Sequence, residues 1–205
     1  GRESLPRALT ILSSLGFKPA VVRFGVDPPG IRHYYGLDPV TRELVHVHLF
    51  TRVLTGESLV KSHLLPFEEM LLDNVTDANG IKVAAKPAEL VLFTLRTFIK
   101  YGSWIDLALL ARKPNRLKDE VRWLQDGGSL DAALALLRTH CPVIDDSLFV
   151  TCVETLGSDA SLSSRLRLAQ QVRRRLGVYA KHTPFGRVLA YARLFAGELQ
   201  RRWPR

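Results

Sequence analysis

Arg32-His33-Tyr34-Tyr35-Gly36-Leu37, then Asp38-Pro39-Val40-Thr41-Arg42-Glu43, then Leu44-Val45-His46-Val47-His48-Leu49-Phe50 is the stretch from which the fold is read. Two runs of aromatic and β-branched residues flank a turn-rich connection, which is the pattern of a β-hairpin. With four loop residues between Asp38 and Glu43, Tyr35 stands opposite His46 and His33 opposite His48. Side chains alternate along a strand, so His33, Tyr35, His46 and His48 share one face. Val45, Val47 and Leu49 take the other, an apolar face suited to packing on a helix. A slip of one residue would flip the partner strand and undo this arrangement.

Upstream, Leu5, Ala8, Leu9, Leu12 and Leu15 recur at helical spacing, with Ser4 as cap, Pro6 in the first turn and Gly16 as the stop. Phe17 to Phe24 reads as a strand, and Asp27-Pro28-Pro29-Gly30 as a loop. Further strands are expected over Ile31 to Leu37 and Leu44 to Phe50. From Pro66 onward the spacing is helical throughout. Helices are expected after Pro66, after Pro87 as far as Tyr101-Gly102, over Trp104 to Ala111, and over Arg116 to Gln125. Others should follow Ser129 and the Asp145-Asp146 pair, with two long basic helices, Ser161 to Tyr179 and Pro184 to Trp203, closing the chain. Trp104, Trp123, Phe93 and Phe98 read as core. The expected class is α+β: a small antiparallel or mixed sheet with a helix, then a mainly helical region. The organisation reads as an α/β segment at 1–65, a helical extension at 66–158 and a basic helical linker or tail at 159–205.

The chain has 205 residues, 46% hydrophobic and 24% charged, enough to bury a core. No run approaches the roughly 20 apolar residues that cross a bilayer. Cys141 and Cys152 are the only cysteines, too few for a disulfide framework or a thiolate zinc site. They read as reduced, buried side chains, and therefore as a cytoplasmic protein. The net charge of +9 is uneven: residues 159–205 hold eleven Lys or Arg against Asp159 and Glu198, leaving residues 1–158 neutral. Both ends of the chain look internal to a longer polypeptide.

Arg32 to Pro39 together with Leu44 to Phe50, and the later Leu65-Pro66-Phe67-Glu68-Glu69 and Lys86-Pro87-Ala88-Glu89 segments, resemble bacterial nucleotidyltransferase-like proteins of surface-carbohydrate biosynthesis. In that group a nucleotidyltransferase-like region is often followed by a thymidylate-kinase-like P-loop domain. The resemblance centres on residues 1–120 and implies a partial nucleotidyltransferase-like sheet. It further implies that magnesium with a nucleoside triphosphate serves the full-length protein, whose adjacent domains are partners of this chain. The superfamily's Gly-Ser turn leading into an Asp-x-Asp pair is absent, as is a P-loop Gly-x-x-x-x-Gly-Lys-Ser/Thr. Nucleotidyl and phosphoryl transfer need carboxylate-held metal on the phosphates. The isolated chain is therefore expected to be inactive and to hold no cofactor. Glu68-Glu69 and Asp145-Asp146, two adjacent acid pairs, sit at apparent helix starts, where the helix dipole explains them.

By the same resemblance, His46 or His48 would occupy the place of the third active-site group, with His33, Tyr35, Arg32 and Arg52 at the substrate and Arg23 beside them. Two other readings of the imidazoles stand alongside: a histidine metal site that includes His33, or a polar, solvated sheet face. The basic helices carry Arg165, Arg167, Arg173, Arg174, Arg175 and Lys181, a composition that a nucleic acid or another acidic partner would match. Leu162, Leu166, Ala169, Val172, Leu176 and Tyr179 form an apolar stripe through the same helix, which suits packing on a neighbour with the arginines in solvent.

Overall fold

Helix α1 (Leu5–Ser14) leads through the turn at Gly16 into a short strand β1 (Lys18–Pro19), which pairs antiparallel with β2 (Ile31–Leu37). These coordinates are a computed structural model that describes residues 4–20, 30–56, 61–101, 114–127 and 129–181, with residues 186, 192 and 196. The class is α+β. Strand β2 is central in a three-stranded sheet and pairs on its other side with β3 (Leu44–Phe50). Of the strand expected over Phe17 to Phe24, Lys18 and Pro19 form β1, while residues 21–24, including Arg23, lie outside the described residues.

The β2–β3 register matches the one read from the sequence, with His33 opposite His48 and Tyr35 opposite His46. The loop chemistry explains why. Asp38 Oδ1 accepts from the backbone N–H groups of Val40 and Thr41 at 2.8 and 2.9 Å. Arg42 takes the left-handed conformation at φ 61° that turns the chain back, and the Asp38 N–H donates to Glu43 O at 2.9 Å. These bonds fix the loop at four residues, and loop length fixes register.

The other face differs from expectation. Val45 is 39% exposed while Val47 and Leu49 are half-buried, so the apolar row is not evenly covered. The close packing there comes from Phe17, whose ring lies over Gly36: an added Cβ on Gly36 would meet it at 2.8 Å. Tyr34, on the same face, is buried.

A second antiparallel pair, β4 (Val53–Thr55) with β5 (His63–Leu65), leads into α2 (Glu68–Asp73). Next comes a hairpin that the helical spacing did not reveal, β6 (Val75–Ala78) and β7 (Ile81–Ala84). Its turn is Asn79-Gly80, both with positive φ, 56° and 81°. Asn-Gly is the dipeptide that a two-residue hairpin turn selects, because both positions need left-handed backbone. The expectation of uninterrupted helix after Pro66 is corrected on this ground.

The helical part is built on α3 (Lys86–Tyr101), packed against α4 (Pro114–Gln125), α5 (Ser129–His140) and α7 (Leu162–Arg175), with α6 (Asp146–Gly157) completing the group. Leu90, Leu95, Phe98 and Ile99 of α3 are fully buried, and each such side chain contributes about 1.5–3 kcal/mol relative to exposure. Asp145 caps α6 by accepting from Leu148 N at 2.9 Å, and Ser161 caps α7 by accepting from Ser164 N at 3.2 Å. Ser129, expected as a cap, is instead the first residue of α5, and its hydroxyl donates back to Leu124 O of the preceding helix. Trp123, expected in the core, is 55% exposed with Lys86 Nζ 4.9 Å from its ring centroid. Its side of α4 faces solvent, whereas Leu117, Val121 and Leu124 face inward. Phe98 is core as expected.

Helix α7 passes into a 3-10 turn, Leu176–Tyr179. Ala169, Val172 and Leu176 of the expected stripe are buried in the same core as α3, Leu166 and Tyr179 pack at its edge, and Leu162 is exposed. The turn is tied to β5 by the Lys181 N–H donating to Ser62 O at 2.8 Å and by a bridge between His63 and Ala180. The helix expected over Trp104 to Ala111 lies outside the described residues, as does that over Pro184 to Trp203 apart from residues 186, 192 and 196. Among the described residues, no helix is long and apolar enough to cross a membrane.

Candidate functional site

The exposed face of β2–β3 carries an aromatic row. Tyr35 stacks on His46 with ring centroids 4.1 Å apart and planes 12° from parallel. His46 in turn lies 4.0 Å from His48 and 5.3 Å from His33, centroid to centroid, and His33 meets His48 edge-on at 4.4 Å. The direct cross-strand pairs are Tyr35 with His46 and His33 with His48, while His33 and His46 meet on the diagonal. Antiparallel pairing brings directly opposed and diagonal side chains within reach, so four neighbouring positions suffice to build the cluster.

The ring nitrogens are also close. His33 Nδ1 is 3.1 Å from His46 Nε2, and His46 Nδ1 is 3.1 Å from His48 Nε2. Each contact requires one nitrogen that carries its hydrogen and one that does not, so the tautomers along the row are coupled. His48 is held below the ordinary imidazole value, first by partial desolvation and then by the neighbouring His46, His33 and Lys61 charges. Among the described residues, His33, His46 and His48 are the one group of three metal-competent side chains whose ligand atoms all lie within 4.8 Å of one another.

The remaining candidates from the sequence stand apart. Arg32 points to the opposite face of β2, in register with Leu49, and is exposed. Arg52 follows β3 at a bend, half-buried, and lines an open, mainly apolar cavity of about 580 Å³ with Phe50, Thr51, Val53 and Glu69. Glu68, on the same wall, uses Oε1 to accept from Val53 N at 3.2 Å, which joins α2 to β4. The cavity itself was not legible in the sequence, because it forms where α2 folds back on β4 and β5.

The basic helix shows a division of labour among its arginines. Arg175 pairs with Asp145 at 3.4 Å, and Arg165 donates to Ser158 O at 3.1 Å, so both hold α7 to α6 and its flanks. Arg167 and Arg174 are exposed.

No protein-family model matches the chain, and neither a curated protein nor a solved structure matches it.

Proposed function

We propose that this chain belongs to a nucleotidyltransferase-like protein resembling the thymidylate-kinase-like enzymes of surface-carbohydrate metabolism, with the β2–β3 face as one wall of its nucleotide cleft. The observation that carries the reading is the gathering of Tyr35, His33, His46 and His48 on one exposed face by the hairpin register. Tyr35 and the imidazoles offer flat rings for a base and donors for phosphate oxygens, and Arg52 stands past the end of the same strand. Magnesium does not fit these residues: it asks for carboxylate oxygens in octahedral array, and the clustered ligand atoms are imidazole nitrogens. The carboxylates of such chemistry would come from elsewhere in the polypeptide, and the isolated chain is inactive on this reading. A cytoplasmic location goes with it, supported by two buried cysteines that form no disulfide.

The test is a titration of the chain with ATP or TTP and magnesium, followed by NMR. Weak, millimolar-range shifts confined to Tyr35, His33, His46 and His48 support the cleft wall. Tight magnesium-dependent binding would contradict the placement of the phosphate-holding groups outside this chain. Shifts absent from the hairpin would remove the reading altogether.

A second reading, a basic helical module for nucleic acid, is favoured by the exposure of Arg167 and Arg174 on α7. It requires affinity for a single-stranded oligonucleotide that falls steeply with salt and weakens in Arg167→Ser/Arg174→Ser. Unchanged binding in that variant would refute it.

A further inference from the structure

We infer that His33, His46 and His48 form a three-imidazole site for a divalent transition metal, zinc foremost, with one coordination position left open. The inference stands apart from the nucleotide reading, because it needs only the hairpin.

Zinc–nitrogen bonds of about 2.0–2.1 Å at tetrahedral angles set two donor nitrogens about 3.3 Å apart. His33 Nδ1 and His46 Nε2 stand 3.1 Å apart, close to that separation. His48 brings its ligand atom within 4.8 Å of both. His48 Nε2 now contacts His46 Nδ1, the nitrogen that would not ligate. Binding therefore requires a side-chain rotation of His48, which is free to occur because the ring is exposed. The backbone need not move: alternate positions 46 and 48 on one strand and position 33 on its neighbour already project to one side. Tyr35 stacked on His46 limits the orientations open to the central ring.

The donor set decides the metal. Three neutral nitrogens and no carboxylate exclude a preference for magnesium or calcium, which take oxygen ligands, and suit zinc, copper or nickel. Ligation requires unprotonated imidazole. Three protein ligands leave the fourth position for water or for an anionic oxygen, the arrangement of sites that present a metal to a second ligand.

The experiment is a calorimetric titration of the tag-free chain with zinc chloride at pH 7.5, without nucleotide, repeated on His33→Ala, His46→Ala and His48→Ala. One equivalent is expected to bind. Each substitution should weaken binding by more than about 100-fold, beyond the roughly 10–100-fold carried by outer-shell partners. His140→Ala, at the end of α5, should bind as the parent does. Cobalt in place of zinc should give the visible absorption of a tetrahedral site. The three rings are exposed or half-exposed, so the fold should survive; if circular dichroism changes for an alanine variant, the glutamine variant replaces it. Absence of a one-to-one complex, or parental affinity in any one of the three variants, overturns the site. Because no nucleotide is present, that failure leaves the cleft reading to its own test.

Discussion

Tyr35 lies flat on His46, 4.1 Å between ring centroids, across the two strands whose register brings the histidines together. Cross-strand aromatic pairs contribute about 0.2–1 kcal/mol. Tyr35→Ala is therefore expected to lower the urea midpoint by an amount equivalent to about 0.5 kcal/mol. A double-mutant cycle with His46→Ala should return a coupling of similar size. Strict additivity of the two substitutions would show that the stacking contributes nothing in solution.

Gly36 lies directly under the ring of Phe17, in the chain just after α1. An added Cβ would sit 2.8–2.9 Å from three atoms of the Phe17 ring. Gly36→Ala should cost about 1–3 kcal/mol, the usual penalty of overpacking. Phe17→Leu in the Gly36→Ala background should recover part of the loss, measured by thermal unfolding. If Gly36→Ala is as stable as the parent, Phe17 does not pack there.

Asp145 links acid sensitivity to a helix cap. Its carboxyl is held below the usual carboxylate range, first by the Ser147 hydroxyl, then by the Leu148 N–H, with Arg175 adding a smaller share. In acid the unfolded chain binds the proton more readily than the folded one, so stability rises with pH across that window. The contribution is complete above the unfolded value near 3.9 and is lost as pH falls through the lower folded value. Asp145→Ala should cost about 1 kcal/mol at neutral pH. The gap between parent and variant should close as urea titrations move from pH 7 towards pH 3. A gap that does not change with pH would deny the carboxylate its role.

Cys141 and Cys152 are fully buried, and burial pushes their thiols up to about 11 and about 12. The thiolate is the reactive form, so neither should react with a disulfide reagent at pH 8 in the native chain. Two equivalents should react on denaturation. Rapid native labelling of either would require α5 and α6 to open far more often than their packing implies.

The hairpin was legible because two independent constraints agree. Alternation assigned the faces, and the Asp38-to-Glu43 loop set the register, so the cluster of His33, Tyr35, His46 and His48 could be written down in advance. The α6 cap was legible as Asp145 or Asp146 for a similar reason, since a side-chain oxygen two or three residues before an apolar run acts locally. The β6–β7 hairpin is announced by Asn79-Gly80 alone, and the helical spacing on either side hides it. Trp123 is exposed despite its size, because aromatic size says little about which side of a helix meets the core.

Local rules thus sufficed for whatever depends on neighbours a few residues apart: strand faces, turn type, helix caps and the charge-neutral stretch before residue 159. Packing between distant segments decided the rest. It brought Phe17 over Gly36, left Arg32 across the sheet from the imidazoles, and opened the cavity beside Arg52. It also buried the α7 stripe against α3, with Arg165 and Arg175 meeting Ser158 and Asp145 and with Arg167 and Arg174 in solvent. These outcomes turn on which apolar surfaces find each other across long sequence separations, a competition that residue order along one strand or helix does not encode.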